Sequence, residues 1–187
     1  MKPDGEQIHI PRKAVPVIVE ALDKNRLVLV HGEPGSGKSE VMVQLYQTLR
    51  PEPRGNGNVL LFRIDRLNSI GFDDVDTAFV GRGQSLTDVL EASRTGNRSV
   101  LMLDALDAPR DMQRRETILS LVEWVLHSTE WQVVLSVRTF EKQHSERLRQ
   151  LQKKIDRDAS LPSCTECQIL PFDDREFGMV QNPEKLD

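Results

Sequence analysis

Eight residues constrain this chain more than any others. Gly32-Glu33-Pro34-Gly35-Ser36-Gly37-Lys38-Ser39 fit the pattern G-x-x-x-x-G-K-[ST]. Each position in that pattern has a physical task. Glycine reaches positive φ without strain and places no Cβ between the backbone and a bound anion. Successive backbone N–H groups can then turn inward as a nest for phosphate. Lys38 would reach the β- and γ-phosphates, and the Ser39 hydroxyl would ligate Mg²⁺. A helix beginning near Gly37 would aim the positive end of its dipole at the same anion.

The flanking residues suit this loop. Arg26-Leu27-Val28-Leu29-Val30-His31 is a short apolar run, which reads as a buried strand. After Ser39, Val41, Met42, Leu45 and Leu49 recur at helical spacing. Strand, glycine loop and helix is the order the motif requires.

The alternation continues along the chain. Ala14 to Leu22 reads as a short amphipathic helix, with Pro16 early enough to be tolerated. Val59 to Ile64 is a second strand, after a loop from Pro51 to Asn58. Asn68 to Gly83 reads only as loop. Ser85 to Ser93 reads as a helix, with Ser85 as N-cap and Asp88 at capping-box distance, closed by Gly96 and Asn97. Ser99 to Leu103 is a third strand running into Asp104, and Met112 to His127 a long helix. Gln132 to Val137 is a fourth strand, Phe140 to Ile155 one charged helix, and Cys167 to Leu170 a fifth strand. A further helix is expected from Asp173 or Asp174 to about Gln181. The strand cores are mostly continuous apolar runs, the mark of a parallel sheet covered on both faces. The expected fold is therefore α/β, a three-layer sandwich around five parallel strands. There is no internal repeat.

The expected domain plan is an arm over residues 1–13, a core over 14–177 and the start of a C-terminal extension over 178–187. At 187 residues the chain suits one domain. A net charge of −4 argues against a general polyanion-binding surface, and aromatics at 5% leave little for stacking bases. The basic residues Arg147, Arg149, Lys153, Lys154 and Arg157 are interleaved with Glu141, Glu146 and Asp156, which reads as a solvated helix face. No apolar stretch approaches the roughly 20 residues of a membrane span. No apolar segment follows Met1 as in a secretory signal, and the cysteines are two, so the expected setting is the cytosol. Cys164-Thr165-Glu166-Cys167 is a lone C-x-x-C with no second ligand pair, which reads as free thiols. His31, at the end of the first strand, reads as core packing.

Two further constellations belong with the glycine loop. Asp104, at the carboxyl end of the third strand, stands where an acid holds Mg²⁺, and Asp107 could place the attacking water. Arg138, at the end of the fourth strand, would point toward a γ-phosphate and sense its charge. An additional strand lies between the loop's helix and the Asp104 strand. The chain has neither N-K-x-D nor a D-x-x-G after its third strand, so the pattern favours ATP over GTP.

Together these segments resemble the STAND class of P-loop NTPases, close to its NACHT branch. Asp104-Ala105-Leu106-Asp107 matches that branch's small residue after the Mg²⁺ aspartate and its further acid three positions on. Arg138 corresponds to its strand-four arginine. Leu103 to Ala108, Val137 to Phe140 and Ile169 to Phe177 are similar to segments of large bacterial STAND ATPases, some of which act in antiphage defence of the AVAST type. The chain departs from the family's N-terminal hydrophobic-Gly-Arg element, which helps cover adenine: its counterpart, Ile10-Pro11-Arg12, has Pro11 before the arginine. The resemblance covers about Ile8 to Phe177 and implies strand order 5-1-4-3-2, ATP and Mg²⁺ as cofactors, and a nucleotide-gated switch with slow hydrolysis. It also implies a protein partner or self-oligomerisation in the full-length protein, and marks the chain as a truncated core that lacks the family's lid and winged-helix domain. The residues leave two other classes open: an AAA-type ATPase or small-molecule kinase, and a catalytically silent nucleotide-binding module.

Overall fold

The computed structural model describes residues 10–50, 58–66, 80, 83, 85–93, 99–107, 112–157, 164–171 and 176. In chain order these form α1 (Ala14–Lys24), β1 (Leu27–Gly32), α2 (Lys38–Leu49), β2 (Val59–Arg63), a 3-10 turn (Ile64–Arg66) and α3 (Leu86–Ala92). There follow β3 (Val100–Asp104), α4 (Met112–Ser128), β4 (Gln132–Arg138), α5 (Thr139–His144), α6 (Glu146–Arg157) and β5 (Cys164–Gln168). All four strand pairings are parallel, in the order β2-β3-β4-β1-β5. This is the expected α/β sheet, its order 5-1-4-3-2 read from the other edge.

Because successive strand residues face opposite sides of a sheet, each central strand feeds two cores. Leu27, Leu29, Leu101, Leu103, Val133, Leu135 and Val137 pack under α3, α4 and α6. Val28, Val30, Val100, Met102 and Val134 pack under α1 and α2. The three central strands are apolar on both sides for that reason. In α1, Val15, Ile18 and Leu22 are the buried stripe. Val41, Met42 and Leu45 serve α2 likewise.

Three local expectations are corrected. The charged segment after β4 is two helices, not one. Ser145 is extended (φ −74°, ψ 107°), ends α5, and its Oγ accepts the Leu148 N–H at 3.3 Å, so it caps α6. The fifth strand starts three residues earlier than its apolar content suggested. Its polar residues Thr165, Glu166 and Gln168 pair with Val28, Leu29 and His31 at the sheet edge, where full burial is not required. Ser85 does precede α3, but its side chain makes no capping bond and meets the Thr87 hydroxyl instead. The expected helix after Asp173, the residues 51–57 loop and most of the Asn68–Gly83 segment lie outside the described residues.

The C-x-x-C pair is split by strand geometry. Cys164 packs against the α4–α6 core and Cys167 belongs to the α1–α2 core, so the two thiols face opposite sides of β5. Both are free. Burial pushes the Cys164 thiol up to about 12, which makes it a packing residue rather than a nucleophile. No helix among the described residues is long and apolar enough to cross a membrane.

Candidate functional site

The glycine loop joins the carboxyl end of β1 to the first turn of α2. Gly35 and Gly37 have φ of 78° and 85°, the left-handed region that only glycine adopts freely. Ser36 N–H donates to the Glu33 carbonyl at 3.1 Å and closes the turn. Gly37 is the residue before the helix, and α2 begins at Lys38. Glu33, Pro34 and Gly35 are exposed, Ser36 is buried, and Ser39 lies exposed in the first turn of α2. Lys38 folds back over the loop, and its Nζ donates to the carbonyls of Gly32 (2.8 Å) and Glu33 (3.0 Å). Burial lowers the Lys38 pKa, and the charges that act on it in addition are Asp107, Arg138, Asp104 and Glu33. The charged residues expected from the third and fourth strands thus lie close enough to the lysine to act on it electrostatically.

Strand parity sets the rest of the geometry. Asp104 and Ser136 are even-numbered members of β3 and β4, so both lie on the α1–α2 face. Asp104 is 2% exposed and accepts a hydrogen bond from the Ser136 hydroxyl. The same hydroxyl accepts the Ala105 N–H at 2.8 Å, and the Ser136 carbonyl accepts the Leu106 N–H at 3.0 Å. Ala105 is held at φ 62°, a costly conformation for a residue with a Cβ. Ser136 therefore fastens both the acid and the turn that follows it.

That turn delivers Asp107 to Arg138. Arg138 Nε lies 2.6 Å from Asp107 Oδ2, and Arg138 N–H donates to Oδ1 at 3.2 Å. Asp107 is nearly buried, whereas the Arg138 side chain is 55% exposed. The two residues expected at a γ-phosphate are here engaged with each other.

Among the described residues no three His, Cys, Asp or Glu side chains cluster as a metal cage. Ser39 and Asp104 nonetheless fit Mg²⁺. They are hard oxygen donors, and Mg²⁺ is commonly held by one or two protein oxygens together with water and phosphate.

Sequence reasoning did not single out Ser136, Gln44 or Glu176, and placed Arg12 only by family resemblance. Arg12 is 4% exposed. Its Nη2 donates to the Ser36 carbonyl (3.2 Å) and the Leu170 carbonyl (2.7 Å), and its Nε lies 3.3 Å from Glu176 Oε1. The buried Gln44 side chain accepts Arg12 N–H at 2.9 Å and donates to the Ile10 carbonyl at 2.7 Å. A Cβ on Gly37 would collide with Arg12 Nη1, a second reason for glycine there. A polar residue on the buried face of α2 was the one available signal for Gln44.

Beside Arg12 a cleft of about 370 Å³ is lined by Ala14, Val17, Ile169, Leu170 and Pro171. A larger groove of about 650 Å³, between α1 and α2, includes Val15, Val19, Gln47 and Thr48 and none of the glycine loop. Three of the five basic residues of α6 are paired with acids within the chain. Arg147 pairs with Glu116 and Glu123, Lys154 with Glu123, and Arg149 with Glu146.

His31 is buried directly below the loop, with Nδ1 3.5 Å from the Thr139 hydroxyl. Burial, then the charge of Lys142, lowers its pKa from 6.5. Below that value the unfolded chain binds a proton that the folded protein resists, so stability falls as pH drops. We expect the urea midpoint to decrease between pH 7.5 and 5.5. His31→Gln should flatten that slope; parallel slopes would remove His31 as the cause.

No protein-family model and no curated protein sequence matches the chain. Solved structures do. A Walker-type ATPase of Pyrococcus abyssi superposes with a TM-score of 0.59 at 15% identity, over 95% of this chain and 59% of that one. The Aeropyrum pernix ORC1 protein, solved in complex with DNA, gives 0.57 at 16% identity, over 98% of this chain and 52% of that one. A structure of Drosophila ORC bound to GC-rich DNA and Cdc6 gives 0.55 at 13% identity, over 93% of this chain and 31% of the matched chain. The chain thus spans between about a third and three fifths of these neighbours. Sheet order, glycine loop and structural neighbours agree that this chain has the P-loop NTPase fold.

Proposed function

We propose that the chain is a Mg-ATP-binding switch domain with slow hydrolysis. One observation carries this reading. The loop is already shaped as a nest, with glycines in the left-handed region at 35 and 37, a helix starting at Lys38, and the Lys38 ammonium lying across it. Such a nest offers fixed N–H dipoles and one cation to an anion, with little rearrangement left to make.

The roles of the side chains follow. Residues Gly32 to Gly37 cradle the phosphates and Lys38 neutralises them. Ser39 and Asp104 would hold Mg²⁺, with Ser136 fixing the Asp104 carboxylate. The ion, when bound, supplies charge neutralisation between the phosphates. The base would lie in the cleft beside Leu170 and Pro171. Asp107 orients water, and Arg138 reads the γ-phosphate after leaving Asp107. The family reading, a STAND-type switch with an antiphage setting, rests on the resemblance of Asp104 to Asp107 and of Arg138. It expects ATP rather than ADP to promote self-association of the protein.

Calorimetric titration with Mg-ATP tests the proposal. Saturable binding that weakens on chelation of Mg²⁺ is the expected result, and no binding at millimolar ATP would overturn it. Arg138→Ala should weaken ATP by about 10-fold, the loss of one charge-assisted hydrogen bond, and leave ADP nearly unchanged. Equal losses for the two nucleotides would contradict γ-phosphate sensing.

A further inference from the structure

We propose that Arg12 is a positioning residue that presets the anion nest, acting on the backbone at Gly37 rather than on the nucleotide. The inference rests on the reading of the glycine loop as a phosphate site. The Arg12 side chain is 3% exposed and is held by Glu176, itself 7% exposed, so the guanidinium is buried against the loop, and both residues border the cleft beside Leu170. From there Nη2 donates to the Ser36 carbonyl. The peptide joining Ser36 to Gly37 is planar and trans, so its C=O and N–H point in opposite directions. Holding the Ser36 carbonyl down toward Arg12 therefore turns the Gly37 N–H up, to the side where an anion would lie. Without that anchor the peptide is free to rotate, because Gly37 follows it with φ of 85° and no Cβ to restrict it.

The anchor reaches further than the loop. Arg12 Nη2 also donates to the Leu170 carbonyl just after β5, and Glu176 Oε1 accepts the Lys13 N–H at 3.3 Å. Gln44 ties the Arg12 backbone to α2. One buried ion pair thus joins the arm before α1, the nest and the segment after β5.

Two variants, Arg12→Lys and Glu176→Gln, test this with Mg-ATP, Mg-ADP and inorganic pyrophosphate, the last by competition against labelled ADP. A lysine keeps the charge but cannot span Ser36, Leu170 and Glu176 together. Arg12→Lys should weaken all three ligands by a similar factor, about 10-fold. A loss for ADP with none for pyrophosphate would mean that Arg12 serves the base, and would overturn the proposal. Glu176→Gln separates positioning from simple attraction. If Arg12 acted as a bare cation, removing its counter-charge would tighten binding. If it acts through geometry, binding loosens. Should Arg12→Lys fail to fold, Glu176→Gln carries the test. Amide hydrogen exchange over residues 32–41 in the ligand-free protein gives a readout that needs no nucleotide. Faster exchange in either variant supports the proposal, and unchanged exchange in both overturns it. A parent protein that binds no ATP would instead sink the functional reading, with the exchange result still deciding the role of Arg12.

Discussion

Lys38→Ala should remove most nucleotide affinity. Truncating one partner of a desolvated charge pair costs about 2 to 5 kcal/mol, a loss of roughly 30-fold or more. The magnitude is set by where Lys38 sits. It is partly buried, its pKa is lowered by that burial, and in the free protein its ammonium is satisfied by the carbonyls of Gly32 and Glu33. A phosphate that enters the nest meets a cation already in place, and an alanine leaves those carbonyls without their donor as well. The loss should be similar for ATP and ADP if the lysine serves the β-phosphate, and larger for ATP if the γ-phosphate dominates. Calorimetry on a variant whose thermal midpoint is close to the parent's checks the result. Binding unchanged within about twofold would remove the glycine loop as the nucleotide site, since electrostatic preorganisation there is the whole basis of the reading.

Asp107→Asn should move binding and turnover in different directions. Asp107 grips Arg138 through both carboxylate oxygens, one on Nε at 2.6 Å and one on the backbone N–H at 3.2 Å. An amide keeps the second contact and loses the ion pair. Arg138 is then released toward a γ-phosphate, so ATP affinity should hold or rise by up to about 4-fold, within the ~1 kcal/mol that an ion pair with one solvent-exposed partner is worth. Hydrolysis should fall by about 100-fold or more, the usual contribution of a positioned base. Phosphate release and calorimetry on the same sample check both parts. A variant that turns over as fast as the parent clears Asp107 of any part in the reaction. A loss of affinity together with activity would show that the Asp107–Arg138 pair supports the site rather than restrains it.

The elements that were legible in the sequence are those whose signal is local. Leu27 to Val30, Val100 to Leu103 and Val133 to Leu135 are apolar on both faces, so each announces a covered parallel strand by itself. Where the signal was weaker, boundaries moved. The edge strand at Cys164 is mostly polar, with Thr165, Glu166 and Gln168 among its five residues, so no apolar run marks it. Ser145 interrupts a charged helix because its own hydroxyl can cap the next one. At Ser145 a side chain's bond to the backbone outweighed the helical pattern, and at Cys164 main-chain pairing with β1 at the sheet edge did so without an apolar run.

The residues of the site divide the same way. Gly32 to Ser39 are contiguous, so their spacing alone marks the loop, and glycine at 35 and 37 permits the positive φ found there. Asp104, Asp107 and Arg138 could be placed at strand ends, but not paired, from the order of elements. That Ser136 meets Asp104, that Asp107 captures Arg138, and that Arg12 reaches Ser36 across 24 positions and Leu170 across 158 were decided by tertiary structure. The reason is register. A slip of one residue between β3 and β4 would turn Ser136 to the opposite face of the sheet from Asp104. Only the packing of both hydrophobic cores at once selects the register in which they touch.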